Sequence, residues 1–278
     1  MSVDSKKIGF SRDSEEFRVN TARLAQFARA LNDTNTAHLA GKIASPIFHH
    51  VPVMQSMVEV LRSVSGEFGL HGEHDIHFHR PIVPGLRLLS LSTLIGIGAT
   101  KAGATLIIRS EIKTHEGREI STQFSTVLLT GEKTAKIAGD VAPKPPTRVE
   151  SETPTVVTHA LTDDQTFRYA DAARDYSPYT LDAEAAAKLG FKAPIVHGMC
   201  TLGFAARAIV DEACKGDSAR LLRLGGRFSQ PLLMVKGQCL TTRLSVGPAA
   251  KGRQTLSFET LDRDGTVVVK NGFAEVTS

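Results

Sequence analysis

Two short stretches hold groups that could move protons. Asp33-Thr34-Asn35-Thr36-Ala37-His38 puts a carboxylate and an imidazole in one loop. Asp175-Tyr176-Ser177-Pro178-Tyr179-Thr180 repeats the spacing with a hydroxyl where the imidazole would be. A carboxylate and an imidazole held together can take a proton from water and deliver one elsewhere near neutral pH. Threonine cannot do this unaided. The plainer reading of the first stretch is turn chemistry, because Asp-x-Asn after a helix closes ordinary loops.

The remaining candidates weigh less. His49-His50 lacks a third ligand at zinc spacing. His71, His74, His77 and His79 form the densest histidine group, and on a strand His77 and His79 would share a face, where packing outweighs ligand contact. His197 precedes Gly198 in the otherwise apolar run APIVHGM. Cys200, Cys214 and Cys239 are odd in number and include no CxxC pair, so they read as reduced thiols. Neither GxGxxG nor GxxxxGK[ST] occurs, nor a serine nucleophile elbow, so no nucleotide cofactor is expected. No metal is expected either.

These residues must be positioned by elements that the chain presents twice. In residues 8–131 an amphipathic stretch TARLAQFARALND leads to an Asp loop, then SPIFHH, then the apolar run VPVMQSMVEVLRSV. In residues 153–277 DQTFRYADAARD leads to an Asp loop, then APIVHG, then MCTLGFAARAIVDEA. Asp33 and Asp175 differ by 142, Pro46 and Pro194 by 148, and Pro81 and Pro231 by 150, so one small insertion explains most of the drift. Aromatic strands ending in Pro follow each helix, and three further strand-like runs close each half, with Glu116-Gly117 and Asp264-Gly265 as turns. The polar, Pro-rich EKTAKIAGDVAPKPPTRVESETP reads as a linker. The expected division is 1–131, a linker at 132–153, and 154–278. A helix followed by antiparallel strands, twice over, is an α+β pattern. The spacing of Val51, Met54, Met57, Val58, Leu61 and Val64 predicts a helix buried along much of its surface.

With 278 residues and 41% hydrophobic content, the chain can bury two such units. The 33 Lys and Arg against 29 Asp and Glu are scattered, which argues against nucleic acid and suits at most a substrate with an anionic handle. The start MSVDSKKIGFSRDSEEF has no apolar core, and no run reaches membrane-spanning length. A soluble, cytoplasmic protein without membrane contact is the expectation.

The C-terminal half resembles the MaoC-like (R)-specific enoyl-CoA hydratase and dehydratase family through YADAARDYSPYTLDAEAAAKLGFKAPIVHGMCTLG. The N-terminal half is similar to the repeat that houses substrate in fused members, and LHGEHDIHFHRPIVPG to a strand typical of the group. The resemblance implies a double hotdog, in which each repeat is a long helix wrapped by an antiparallel sheet and the two form an internal pseudo-dimer joined sheet edge to sheet edge. It also implies reversible hydration of a trans-2-enoyl-CoA, or dehydration of the (R)-3-hydroxyacyl-CoA. An acyl-CoA thioester would be the partner, no separate cofactor would be needed, and pairing of two chains as a homodimer is expected.

Carried across residue by residue, the resemblance puts Asp175 at the acid position and Pro178 at the proline, but Ser177 replaces Asn, and Thr180 stands where the catalytic His belongs. The first half keeps Asp33, Asn35 and His38, with Thr36 in place of Pro. Gly198 would offer its N–H to the enolate oxygen, and His50 stands at the equivalent place in the first half. Three readings compete. Either Asp33 and His38 form the working dyad, or Asp175 works with an altered partner among Tyr176, Tyr179 and His197, or the chain binds acyl-CoA without turnover. Asn35, Ser177, Thr180 and His197 are then the substrate-facing positions, and Arg80 and Arg227 are either partners of CoA phosphates or surface cations. Thioester hydrolysis is the alternative reaction.

Overall fold

The strand pattern closes as expected into antiparallel sheet, and the turns explain why. Gly117 and Gly265 take φ of 85° and 82°, a left-handed conformation open to glycine, at the two hairpins read from the sequence. The computed structural model describes residues 3–65, 69–130 and 137–278, and the first residues of the expected linker, 132–136, lie outside them. The first repeat comprises β1 (Ser11–Asp13), β2 (Phe17–Arg18), α1 (Thr21–Ala30), α2 (Thr36–Leu39), α3 (Met54–Ser65), β3 (Leu70–Phe78), β4 (Arg87–Thr100), β5 (Gly103–Thr114), β6 (Glu119–Thr130) and β7 (Ala138–Gly139). The second comprises β8 (Thr155–Ala160), α4 (Gln165–Ala173), α5 (Pro178–Leu181), α6 (Ala183–Lys188), α7 (Gly198–Glu212), β9 (Leu221–Phe228), β10 (Cys239–Ala250), β11 (Arg253–Asp262) and β12 (Val267–Thr277).

One sheet runs through both repeats in the order β1-β4-β5-β6-β3-β9-β12-β11-β10-β8. The order reads as β4-β5-β6-β3 and its mirror β9-β12-β11-β10, so β3 against β9 is the seam of a pseudo-twofold pair. This is the edge-to-edge double hotdog that the resemblance implied. Across the seam Arg223 Nε donates to Asp75 Oδ1 at 3.0 Å and Arg223 Nη2 to Asp75 Oδ2 at 2.7 Å, a bidentate pair that is largely buried. The same guanidinium donates to the Lys144 carbonyl at 3.1 Å, which anchors the connecting stretch after β7. Across the two repeats α1 also meets α4, where Gln165 links to the Ala30 carbonyl and to Asn32.

The two central helices differ. In α7 every residue from Met199 to Val210 is buried, as expected of a helix inside a curved sheet. The first-half counterpart corrects the expectation of one long buried helix. Pro46–Val53 winds as a fully buried 3-10 helix, regular α-helix begins only at Met54, and Met54 and Val58 are half-exposed. Pro52 is the cause. It supplies no N–H, and its ring opposes α geometry in the residues before it, so the turn tightens there instead of continuing α3 backwards.

Strand β4 holds a second departure from a simple apolar pattern. Ser90 and Ser92 face inward while Leu89 and Leu91 are 39% and 37% exposed. The buried hydroxyls satisfy one another: Ser56 Oγ lies 3.0 Å from Ser90 Oγ and 2.8 Å from Ser92 Oγ, and Ser92 Oγ 2.7 Å from Ser110 Oγ.

The seam pair sets the first expected outcome. Asp75→Ala leaves the Arg223 charge under the sheet without its carboxylate and should lower stability by about 3 kcal/mol in urea denaturation. Replacing both partners with apolar groups, Asp75→Leu with Arg223→Met, should recover most of that loss. A neutral single variant would show that the seam is held by strand pairing alone.

Candidate active site

The two Asp loops fold alike. The Asn35 N–H donates to Asp33 Oδ1 at 2.9 Å, and the Ser177 N–H to Asp175 Oδ1 at 3.2 Å, so each carboxylate closes its own turn before a short helix. From there the halves diverge. In the first, the Asn35 amide is fully committed: Oδ1 accepts from the Ala37 and His38 N–H groups, and Nδ2 donates to the Gly216 carbonyl at 2.7 Å. In the second, Ser177 Oγ donates to Asp175 Oδ1 at 2.7 Å.

The structure does bring Asp33 and His38 together. His38 Nδ1 lies 2.7 Å from Asp33 Oδ2, and both residues are buried. Burial alone would raise the Asp33 carboxyl, but the hydrogen bonds from His38 and Asn35 and the charge of Arg207 outweigh it and hold it below the usual carboxylate range. His38 Nε2 lies 2.9 Å from Ser218 Oγ, a residue of the other repeat. Beside this group is a cavity of only about 60 Å3, bounded by Ile43, Pro46, His49, Phe78, Pro81 and Ser218. His50 sits inside the 3-10 helix, where its N–H belongs to the i−3 ladder, so the first half has no free donor at the place equivalent to Gly198.

The second half is open. A cavity of about 230 Å3 lies against the start of α7 and is lined by Asp175, Ser177, Tyr179, Thr180, His197, Gly198 and Phe228. Its walls match those of the small cavity: His49 pairs with His197, Phe78 with Phe228 and Pro81 with Pro231 across the pseudo-twofold. Gly198 is the first residue of α7, where an N–H has no intrahelical acceptor and the helix dipole is positive. A Cβ at Gly198 would stand 3.2 Å from the Phe228 ring, so a side chain there would push the ring and fill the chamber.

Thr180 is buried and occupied. Its hydroxyl donates to the Ser177 carbonyl at 2.7 Å and accepts from His197 Nε2, 2.9 Å away. That nitrogen also donates to the Asp175 carbonyl at 3.0 Å, so it carries the proton and Nδ1 is the bare nitrogen. Nδ1 is buried without a partner among the described residues. Burial outweighs the pull of Asp175 and lowers the His197 pKa, which keeps the ring neutral. His197 therefore ties the start of α7 to the Asp175 loop. Tyr179 faces the cavity, whereas Tyr176 is 59% exposed and lies away from it. Arg80 donates to the Glu119 carbonyl at 2.8 Å, and Arg227 lies at the surface near Glu73.

A group that the sequence marked only by its density reaches this cavity from the first repeat. His71 lines it, and its Nε2 lies 3.1 Å from His74 Nδ1. Gln123 orders the cluster. Its amide nitrogen donates to the His49 carbonyl at 2.6 Å, so its oxygen must accept, from His74 Nε2 at 3.1 Å and His50 Nδ1 at 3.4 Å. His74 Nδ1 is then an acceptor, with His71 Nε2 and Ser125 Oγ both 3.1 Å away. Burial pushes His71 down to about 3 and His50 to about 4, the latter against the opposing charge of Asp175, and it holds His74 well below the ordinary range. His77 and His79 turn elsewhere, to Asp75 and Thr122. Spacing along β3 gave no sign of Gln123, which arrives from β6.

The chain matches the model of the MaoC-like domain over residues 142–266. It is 26% identical to peroxisomal multifunctional enzyme type 2 of Mus musculus over 74% of this chain and 27% of that protein. It is 31% identical to peroxisomal enoyl-CoA hydratase 2 of Arabidopsis thaliana over 57% of this chain and 54% of that one, so it spans about half or less of these relatives. A MaoC-like dehydratase structure from Phytophthora capsici superposes with a TM-score of 0.81 at 24% identity, covering 99% of this chain and 98% of that one. A Mycobacterium tuberculosis protein described as a double hotdog superposes at 0.67 with 13% identity, over 97% and 96% of the two chains.

The buried histidines make stability depend on pH in one direction. The folded values, about 3 for His49 and His71 and about 4 for His50, lie below the ordinary 6.5, so between 6.5 and 4 the unfolded chain binds protons that the native chain refuses. Stability present above pH 6.5 should fall as pH drops toward 4, read as unfolding free energy at pH 7.5, 6.0 and 5.0. His50→Gln should flatten the slope, and a flat wild-type profile would mean that the cluster is hydrated in solution.

Proposed function

We propose that this chain, a MaoC-like protein of the double hotdog fold, reversibly hydrates a trans-2-enoyl-CoA to the (R)-3-hydroxyacyl-CoA in the cavity at the start of α7. The observation that carries the reading is the convergence there of a carboxylate, a helix-start N–H and an imidazole in one chamber of about 230 Å3. The thioester oxygen would accept from the Gly198 N–H, which holds negative charge as the enolate develops. Asp175 would take the proton of the water attacking C3 and return one to C2. His71, neutral and supplied by the other repeat, would hold that water in place of the imidazole lost at Thr180.

A larger groove of about 890 Å3 shares Gly72, Leu128, Phe228 and Ser229 with the cavity and is lined by Lys101, Lys144, Arg227 and Lys270. Its charge suits the phosphates of CoA, while the chamber takes the acyl end. The chain's own groups suffice for this chemistry, without metal or redox cofactor. A cytoplasmic setting belongs to the same reading and is supported by three free cysteines, two of them buried. No helix among the described residues is long and apolar enough to cross a membrane. Pairing into a homodimer completes the reading and is checked by sedimentation.

The second reading keeps hydration at Asp33 and His38, favoured by their intact 2.7 Å contact. Loss of enoyl-thioester absorbance decides between the two. Asp175→Asn should lower kcat by about 10²–10⁴-fold. His71→Ala should lower it more than tenfold, and His38→Ala should leave it near wild type. Abolition by His38→Ala with Asp175→Asn active would move the reaction to the first half. Release of free thiol in place of hydration would replace the reading with hydrolysis.

A further inference from the structure

We propose that Ser218 is a nucleophile, activated by His38 and oriented through Asp33, that accepts the acyl group of a short-chain acyl thioester. The three side chains stand in the order such chemistry requires. Asp33 Oδ2 is 2.7 Å from His38 Nδ1, and His38 Nε2 is 2.9 Å from Ser218 Oγ. The carboxylate accepts from Nδ1, so in the neutral imidazole Nε2 presents its lone pair to the Ser218 hydroxyl. Asp33 is itself fixed by the Asn35 N–H at 2.9 Å and by Arg207, whose Nε lies 3.9 Å from Oδ1.

Ser218 comes from the other repeat, on the turn after α7, and that turn is held in place. Lys215 and Gly216 take φ of 55° and 82°, and Asn35 Nδ2 clamps the Gly216 carbonyl at 2.7 Å. The serine is half-buried and the imidazole buried, so a solute meets the hydroxyl before the base. Ser218 stands between an open depression of about 630 Å3 lined by Thr34, Thr36 and Lys215 and the small cavity of about 60 Å3 beside His49. The first gives the thioester access, and the second has room only for a short acyl chain. The contact that closes His38 to water is thus the contact that activates the serine.

In the first step Ser218 Oγ attacks the thioester carbonyl carbon and its proton passes to His38 Nε2. The C–S bond then breaks, and the sulfur leaves as a thiol with that proton. Water repeats the sequence on the acyl-serine, which releases the carboxylic acid and restores the hydroxyl. Asp175, Gly198 and His71, which carry hydration in the first reading, take no part, so that reading and this one fail separately.

The test is labelling of the intact protein with a fluorophosphonate, mapped by peptide mass spectrometry, together with the burst of p-nitrophenolate from p-nitrophenyl acetate. The adduct should fall on Ser218, disappear in Ser218→Ala, and form at least tenfold more slowly in His38→Ala and Asp33→Asn. Asp175→Asn should label as wild type does. Ser218→Cys guards against misfolding of the dyad variants, because its alkylation by iodoacetamide should slow at least tenfold when His38→Ala is added. No adduct at Ser218, or labelling and alkylation indifferent to His38, would overturn the proposal.

Discussion

The pairing of β3 with β9 is the constraint on which everything else depends. It places the start of β3 against the Asp loop of the second repeat, and the turn after α7 against the Asp loop of the first. Every cavity described above therefore has walls from both halves: His71 of the first beside Asp175 of the second, and Ser218 of the second beside His38 of the first. The Asp75–Arg223 pair lies under this seam and also ties down the stretch that joins the repeats. A sheet that paired one residue out of register would turn those side chains to the opposite face and separate both groups.

The equivalence of the halves stops at their central helices. Pro52 tightens the first into a 3-10 turn and consumes the donor that the second half keeps free at Gly198. Phe228 lies over that glycine close enough that no side chain would fit without displacing it. The half with Asp33 and His38 thus has an open depression and a cavity of only about 60 Å3 beside them, and the half with the chamber of about 230 Å3 has Thr180 at the place of His38. That threonine is not idle, because its hydroxyl accepts a hydrogen bond from His197 Nε2 and so helps to hold the turn from which α7 starts.

Much of the architecture was legible in the chain because it is written twice. The offsets between Asp33 and Asp175, and between Pro81 and Pro231, located the repeats, and the glycine turns located the hairpins. The break at Pro52 was not read, since apolar spacing looks alike in a tight and a regular turn. The inward serines of β4 also escaped, because alternation of leucine and serine does not say which face is buried until a second set of hydroxyls is found to meet them. In the site, local neighbours such as Asp33 and His38 were visible. His71, Gln123 and Ser218 were not, because each acts on residues brought together only by the seam.

The inequality of the two chambers follows from the covalent joining of the repeats. In a symmetric pair of single hotdogs, any substitution appears twice, and a change that closes one chamber closes both. Here Pro52 and Thr180 each alter one side alone. Fusion has therefore freed the two equivalent positions to drift independently, and a chain of this kind can lose a function in one half, or take on another, while its twin continues to work.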